Sequence, residues 1–299
     1  MGRVVPIAGD VCSVCFGLAP ASYEALSAIV RCVVHCAAEV HMLRQYPALR
    51  RPNVLGTLEV LRFVCRTHSS AESSHAKALC YASTTSVLCH RPCSDHIASV
   101  QAPLNEPIAL EQLDELSGYV QSKVVAERLV LEAARRGVAV GLVRMARIGP
   151  SSMGICNPND LVSRLIRGVA EVKVAPYQVE AHPIAFDMVP VERVAHAMMR
   201  MALWMSSCGR NTPRGGATCH LTNCTKPTAW EQLLRDVQQA HGFEVTRVAL
   251  PEWRSALRSS EALRLLADEL QDGIPCDLSF VSDAHDVPGA RTLETAILL

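Results

Sequence analysis

Short apolar runs alternate with longer helical patterns through the first half of the sequence, and this rhythm constrains the fold more than any other feature. The apolar runs, each long enough for one strand, are residues 3–8, 29–35, 78–83 and 138–144. One helical pattern opens at Pro52, and another covers residues 110–136, with a start near Ser117 and a stop at Gly137. Alternation at this spacing is typical of right-handed βαβ units. The sequence therefore predicts an α/β fold with a doubly wound parallel sheet, covered by helices on both faces.

The rhythm loosens after about residue 150. The helical patterns of this half cover residues 160–168, 191–205, 228–241 and a tail over 252–269. A short apolar run near residues 217–222 predicts one further strand that returns to the sheet. We expect a sheet domain over residues 1–150 and a small, mostly helical lobe over residues 151–299.

The composition excludes several classes of protein. Apolar residues make up 49% of the chain and charged residues 19%, which excludes a disordered or coiled-coil protein. The 29 basic residues balance the 29 acidic ones, so no net charge points to nucleic acid or an anionic membrane. The apolar stretch over residues 29–43 is interrupted by charged side chains and cannot span a bilayer. Thirteen cysteines without a hydrophobic leader indicate reduced thiols, and we expect a soluble cytoplasmic protein.

Tyr119 and Lys123 form the sharpest chemical pattern. They are four residues apart in a predicted helix, so the phenol and the ammonium lie on one face. A neighbouring cation favours the phenolate and lowers the pKa of the tyrosine, which prepares it to transfer a proton. The alternative is an ordinary surface pair without a chemical role.

A hydroxyl-rich segment, residues 83–86, follows the strand that precedes this helix. A hydroxyl at the carboxyl end of a parallel strand faces the crevice where such folds bind ligands. There it can donate a hydrogen bond to a carbonyl oxygen that gains negative charge. Together with Tyr119 and Lys123, it points to reduction of a carbonyl by hydride transfer.

Several motifs occur in a fixed order. They are RVVPIAGD at 3–10, HCAA at 35–38, NVLGTLEVL at 53–61, YASTTSV at 81–87, YVQSKVVAE at 119–127, residues 144–154 and VPVERV at 189–194. In this order the chain resembles the thioester reductase domains of the extended short-chain dehydrogenase/reductase superfamily. Such domains terminate nonribosomal peptide and polyketide synthases, and they occur in aminoadipate reductases and carboxylic acid reductases. The resemblance extends to about residue 200 and weakens beyond it.

The resemblance implies a role for each matching residue. Thr84, Tyr119 and Lys123 match the catalytic triad, with Tyr119 as the proton donor and Thr84 orienting the carbonyl. Lys123 also matches the residue that holds the nicotinamide ribose. The other positions that match cofactor contacts are Asp10 at the adenine, Ala37 and Ala38 at a strand end, Asn53 on a helix, and Arg147. No metal ligand is implied.

The resemblance also implies the substrate and the cofactor. The family reduces an acyl thioester to an aldehyde or alcohol with NADPH. The substrate is carried by an acyl carrier protein on its phosphopantetheine arm, normally within a multidomain synthase. We therefore expect a Rossmann-like NADPH-binding domain followed by a substrate lobe.

The sequence departs from the family pattern at its start. Family members begin with a strand and a GxxGxxG loop that holds the cofactor pyrophosphate, and no such run occurs in this sequence. The first match is already the third strand, which predicts a Rossmann-like sheet that is incomplete at its N-terminal side. His41 replaces a preferred asparagine, and Met145-Ala146 replaces a preferred Pro-Gly.

Two other functions stay open at this point. One is a different extended reductase, such as a fatty acyl-CoA reductase or an epimerase-like enzyme, and the other is a catalytically inactive part of a larger synthase. A metal site built on Cys12 and Cys15 lacks a second ligand pair of suitable spacing, although Cys89, His90, Cys93 and His96 follow later. We expect His35 to be a hydrogen-bonded core histidine.

Overall fold

A computed structural model describes most of the chain. The described residues are 4–66, 77–90, 100–101, 107, 109–177, 185–208, 216–223, 227–260 and 263–270. They divide into two compact units, of which the first comprises Met1–His90, Val100–Met145 and Ala195–His220. The second comprises Arg91–Ser99, Ala146–Val194 and Leu221–Leu299. Residues 195–220 thus group with the first unit, although they follow residue 150 in the sequence.

The strands and helices alternate along the chain. The strands are β1 (Cys32–His35), β2 (Ala78–Thr84), β3 (Cys89–His90), β4 (Val100–Gln101), β5 (Ala139–Met145), β6 (Arg147–Gly149), β7 (Val174–Pro176), β8 (Ala185–Phe186), β9 (Met188–Pro190), β10 (Ala217–Leu221), β11 (Thr228–Ala229) and β12 (Thr246–Val248). The helices are α1 (Pro20–Ile29), α2 (Tyr46–Leu49), α3 (Gly56–Cys65), α4 (Gly118–Arg135), α5 (Leu161–Val172), α6 (Val191–Cys208), α7 (Trp230–His241), α8 (Leu250–Arg258) and α9 (Arg264–Glu269).

The main sheet of the first unit has the strand order β1-β2-β5-β10. β1 and β2 are parallel, with Cys32 opposite Ala78, and β2 and β5 are parallel, with Ala78 opposite Ala139. Side chains alternate between the two faces of the sheet, as they do in any strand. The apolar sequence runs predict the three parallel strands correctly.

Helices cover both faces of this sheet. On one face, α3 and α4 pack against β2 and β5 through a core that includes Val60, Val64, Leu79, Val130 and Leu142. On the other face, α6 packs against the small residues Ala78 and Ala139 through Met205. The doubly wound α/β fold predicted from the sequence is confirmed.

The second unit has its own apolar core. Trp230 on α7, Trp253 on α8 and Leu165 on α5 are fully buried within it. Its strands form short two-stranded pairs: β7 with β12, β6 with β9, and β8 with β11. This part of the chain is mainly helical, as the sequence predicts.

Two predictions of local structure are wrong. Residues 4–8 form no strand, and Val4, Val5 and Ile7 are 91%, 64% and 53% exposed. An apolar run becomes a strand only when a neighbouring strand takes up its backbone hydrogen bonds, and no strand among the described residues pairs with this run. Pro52 does not begin a helix but lies inside a π-helical turn, Arg50–Leu55, between α2 and α3. Proline has no N–H to donate within a helix, and the wider turn accommodates it.

α1 is a helix that the sequence patterns did not predict. Pro20 stands at its first turn, which is a recognised start signal.

The helix α4 begins and ends next to the residues that the sequence predicts, Ser117 and Gly137. The Ser117 hydroxyl accepts a hydrogen bond from Val120 N, and Gly137 adopts a φ of +96° beyond the last turn.

Candidate active site

Thr84 is the last residue of β2 and lies opposite Met145, the last residue of β5. Its hydroxyl accepts a hydrogen bond from Ser86 N at 3.3 Å and donates to the Ser86 hydroxyl at 3.2 Å. Thr84 thereby caps the short helical turn Thr85–Val87. Because the Thr84 hydrogen is directed to Ser86, the Ser86 hydroxyl is a second donor that can serve a substrate oxygen at this strand end.

Tyr119 and Lys123 lie on the first turns of α4, one helical turn apart. The Tyr119 side chain is partly exposed, whereas Lys123 is buried. The Lys123 ammonium donates to the Tyr81 hydroxyl at 2.8 Å and to the Ala82 carbonyl at 2.7 Å. An ammonium has three hydrogens, so these two contacts leave one for a ligand hydroxyl.

The charges at this pair differ from the simple expectation. Burial raises the pKa of Tyr119 above its usual value, and the Lys123 charge offsets only part of that rise. Burial also lowers the pKa of Lys123, while Tyr119 and Glu127 act in the opposite direction. The predicted effect of Lys123 on Tyr119 has the right sign, but desolvation outweighs it. The Tyr119 phenol therefore keeps its proton near neutral pH, as a proton donor must.

A buried ion pair lies behind Lys123, and the sequence patterns missed it. The Arg144 guanidinium donates to the Glu127 carboxylate through Nε at 2.9 Å, and both side chains are fully buried. Ser83 donates to the other carboxylate oxygen at 2.6 Å. Glu127 follows Lys123 by four residues, so the spacing of Tyr119, Lys123 and Glu127 was the signal that could have identified it.

Asn53 ties three segments together. Its Oδ1 accepts from Glu39 N at 2.7 Å, and its Nδ2 donates to the Glu39 carbonyl and to the Ser122 hydroxyl, both at 2.9 Å. Ser122 donates in turn to the Tyr119 carbonyl at 2.7 Å. The amide of Asn53 is therefore engaged by the protein itself, and it anchors the segment after β1 to the start of α4.

Three other residues assigned to the cofactor lie in loops of the first unit. Ala37 and Ala38 are exposed just beyond β1. The Asp10 carboxylate accepts hydrogen bonds from Cys12 N at 2.8 Å and from the Ser13 hydroxyl at 3.0 Å. These hydrogen bonds lower the pKa of Asp10. The side chain of Asp10 thus organises the turn before α1.

Arg147 lies in the second unit, on β6, opposite Met188 of β9. Its guanidinium carbon lies 5.8 Å from the centre of the Phe186 ring, within the range of a cation–π contact. Its backbone N donates to the Asp187 carbonyl at 3.1 Å.

His35 is a core histidine, as predicted. It is 4% exposed, and its Nε2 lies 3.0 Å from the Thr57 hydroxyl. Burial lowers the pKa of His35 to about 4, with a smaller contribution from the Lys123 charge. The imidazole is therefore neutral at physiological pH.

In the described part of the chain, His, Cys, Asp and Glu side chains form no group of three that could hold a metal ion. Cys12 and Cys15 are free thiols in the turn before α1. The other cysteine pair considered above includes Cys93, which, like His96, lies outside the described residues.

Every helix within the described ranges is too short or too polar to cross a lipid bilayer.

Known proteins resemble this chain in sequence and in fold. Residues 1–198 match the model of an NAD-binding family described as male sterility protein. The crystal structure of the terminal R domain from the myxalamid PKS-NRPS biosynthetic pathway is 30% identical. The match covers 98% of this chain and 74% of that one, with a TM-score of 0.71.

Two curated relatives are much longer than this chain. Glycine betaine reductase ATRR of Emericella nidulans is 34% identical over 207 residues, which are 68% of this chain and 15% of that protein. A linear gramicidin synthase of Brevibacillus parabrevis is 28% identical over 257 residues, which are 86% of this chain and 5% of that protein. The chain thus spans a small part of these relatives.

Proposed function

The chain belongs to the NAD-binding family described as male sterility protein, and from that premise we propose that it reduces an acyl thioester to an aldehyde or alcohol with NADPH. The observation that carries the proposal is the placement of Lys123. Its buried ammonium is held by Tyr81 and Ala82, one helical turn along α4 from the partly exposed phenol of Tyr119. A protonated phenol beside a cation is the arrangement that protonates a carbonyl oxygen during reduction.

The residues present fit the nicotinamide-ribose half of the cofactor. The third hydrogen of the Lys123 ammonium can be donated to a ribose hydroxyl, and the exposed Ala37 and Ala38 leave room at the end of β1. The fit does not extend to the pyrophosphate, because a glycine-rich loop is absent from the described residues. The choice of NADPH over NADH follows the resemblance to thioester reductases.

The chemistry assigned to the chain is proton transfer and charge stabilisation. When bound, the nicotinamide supplies the hydride that adds to the thioester carbonyl carbon. Tyr119 donates its phenolic proton to the carbonyl oxygen, and the Lys123 charge stabilises the phenolate left behind. The hydroxyl of Thr84 or Ser86 donates a hydrogen bond to the same oxygen. The product is a hemithioacetal, which releases the thiol and the aldehyde when its C–S bond breaks.

The proposed substrate carrier is a phosphopantetheine arm on an acyl carrier protein. Support comes from the nature of the relatives, which include a gramicidin synthase and the terminal domain of a PKS-NRPS pathway. The same acyl pantetheine thioester occurs in coenzyme A, so acyl-CoA is a practical substrate for a first assay.

The test is NADPH oxidation with an acyl-pantetheine or acyl-CoA thioester, with trapping of the aldehyde. Tyr119→Phe should lower kcat by about 10²–10⁴-fold, because it removes the proton donor. Binding of NADPH by Tyr119→Phe should stay close to that of the parent chain. Tyr177→Phe is the matched control, since Tyr177 is 62% exposed and lies in the second unit.

Three results would count against the proposal. Full activity in Tyr119→Phe would remove Tyr119 from the mechanism. Turnover of a nucleotide sugar, without turnover of any thioester, would assign the chain to the epimerase-like reductases. If calorimetry detects binding of neither NADPH nor NADH, the chain is a catalytically inactive part of a larger synthase.

A further inference from the structure

We propose that Tyr81 is a positioning residue that fixes the Lys123 ammonium and keeps it charged. The inference rests on the proposed function, and it assigns a role to a side chain that contacts neither substrate nor cofactor. Tyr81 lies in the middle of β2 and is 2% exposed. Its hydroxyl lies 2.8 Å from Lys123 Nζ, and the same nitrogen lies 4.3 Å from the centre of the Tyr81 ring.

The direction of the hydrogen bond between Lys123 and Tyr81 is determined. An ammonium only donates, so the Tyr81 oxygen accepts from Lys123 and its hydrogen must go elsewhere. The Thr57 hydroxyl is the neighbour that can accept that hydrogen. Thr57 donates its own hydrogen to the Asn53 carbonyl at 2.7 Å, so its oxygen is an acceptor for Tyr81. The Tyr81 oxygen therefore cannot become the donor in its contact with Lys123.

His35 completes this arrangement from the other side. Its Nε2 lies 3.0 Å from the Thr57 oxygen, whose hydrogen is already donated to Asn53. His35 must therefore donate, which assigns its proton to Nε2. Its neutral state agrees with its burial and with the nearby Lys123 charge. The Thr57 oxygen is thereby left as an acceptor beside Tyr81.

Tyr81 positions the ammonium and does not relay protons. Burial raises the pKa of Tyr81 above its usual value, so the phenol stays neutral. Thr57, which lies beside Tyr81, directs its own hydrogen to the Asn53 carbonyl, which has no proton to pass on. What Tyr81 supplies is a fixed acceptor and a ring face, and both favour the charged form of Lys123. The charged or titratable groups that act on Lys123 are Tyr119, Glu127, Cys36, Tyr81 and His35.

Removing only the Tyr81 hydroxyl tests the inference. Tyr81→Phe keeps the ring but leaves one ammonium hydrogen without its acceptor in a buried place. We expect the pKa of Lys123 to fall by about one unit, since a hydrogen bond to a charged group contributes that much. The alkaline limb of the kcat/KM profile should move down by the same amount, and kcat should fall more than KM rises.

The pKa can be measured without turnover, because the chain has only four lysines: Lys77, Lys123, Lys173 and Lys226. Selective ¹³C labelling at lysine Cε gives four NMR signals, and Lys123→Arg identifies the one that belongs to Lys123. Each signal shifts as its amine titrates. Because this readout needs neither cofactor nor thioester, the inference can be judged even if the chain reduces no thioester.

Two further variants keep the test decisive. Thr57→Val, which removes the acceptor of the Tyr81 hydrogen, should lower the pKa of Lys123 by a smaller amount, and Thr57→Ser should restore it. Tyr177→Phe should leave all four signals unchanged. Unchanged Lys77 and Lys173 signals show that a variant is folded. If Tyr81→Phe folds and its Lys123 pKa is unaltered, the inference is overturned. If Tyr81→Phe does not fold, an unaltered Lys123 pKa in Thr57→Val overturns the inference instead.

Discussion

At the scale of single residues, folding lowers the pKa of His35, so the folded chain keeps its imidazole neutral at pH values where the unfolded chain protonates it. The imidazole is buried beside Tyr81 and contacts the Thr57 hydroxyl. Its pKa is lowered from 6.5 to about 4, first by burial and then by the Lys123 charge. Between these two values the unfolded chain binds a proton that the folded chain does not bind. The stability that depends on neutral His35 is therefore fully present above pH 6.5 and is lost as the pH falls towards 4.

This difference predicts a pH-dependent stability. From pH 7 to pH 4 the His35 contribution to the free energy of unfolding should fall by on the order of 3 kcal/mol. His35→Gln keeps a side-chain N–H for Thr57 but cannot titrate, so its unfolding free energy should depend less on pH in this window. Urea unfolding at a series of pH values measures the effect. The exposed His241 supplies the control variant, His241→Gln, and equal slopes for the two variants would contradict the assignment.

At the scale of elements, the approach of α4 to the segment before α2 sets the position of Tyr119. Gly118 is the first residue of α4 and precedes Tyr119 directly. A Cβ added at Gly118 would lie 2.3 Å from the Arg44 carbonyl oxygen and 2.5 Å from Tyr46 N. These are backbone atoms, which cannot rotate away as a side-chain end can. Glycine is therefore required where the helix carrying Tyr119 and Lys123 begins.

Gly118→Ala should lower the free energy of unfolding by about 1–3 kcal/mol, the usual cost of overpacking. The added methyl group should also displace the first turn of α4, so kcat should fall beyond what the loss of folded protein explains. Thermal unfolding and thioester turnover on the same sample separate the two effects. Gly137→Ala is the control at the other end of α4, where nothing lies within 4 Å of an added Cβ. It should cost about 1 kcal/mol from its positive φ alone, with turnover unchanged.

At the scale of the whole molecule, the two units have separate apolar cores. The core of the first unit lies between the sheet and the helices α3 and α4, and the core of the second lies around Trp230 and Trp253. Trp204, the third tryptophan, belongs to the first unit and is 44% exposed. Units with separate cores can unfold in separate transitions.

The Trp204→Phe variant should therefore show two distinct unfolding transitions in urea. Its fluorescence comes only from the second unit, whereas far-UV circular dichroism reports both. NADPH at about 100 times its Kd should stabilise the unit that contains Lys123 by about 2.7 kcal/mol. Circular dichroism should detect that shift, and the fluorescence midpoint should move less, because Arg147 is the one residue assigned to the cofactor that lies in the second unit. Equal shifts of both signals would mean that the units unfold as one.

Local patterns were enough to predict the parts of the fold that depend on neighbouring residues. The strands β2 and β5, the cap at Ser117 and the end of α4 at Gly137 all follow from spacing of two to four residues along the chain. The spacing of Tyr119 and Lys123 on α4 follows in the same way, because a helix places every fourth residue on one face.

Other features were decided only when distant segments met. Residues 4–8 carry a strand-like pattern but pair with no described strand, and Pro52 lies inside a π-helical turn and not at the start of a helix. The burial that raises the pKa of Tyr119, the ion pair between Glu127 and Arg144, and the contact of Tyr81 with Lys123 all join separate elements. Desolvation and hydrogen bonding across elements depend on which surfaces meet in space. Sequence spacing thus determined which groups the chain carries to the site, and tertiary packing determined their charge and their partners.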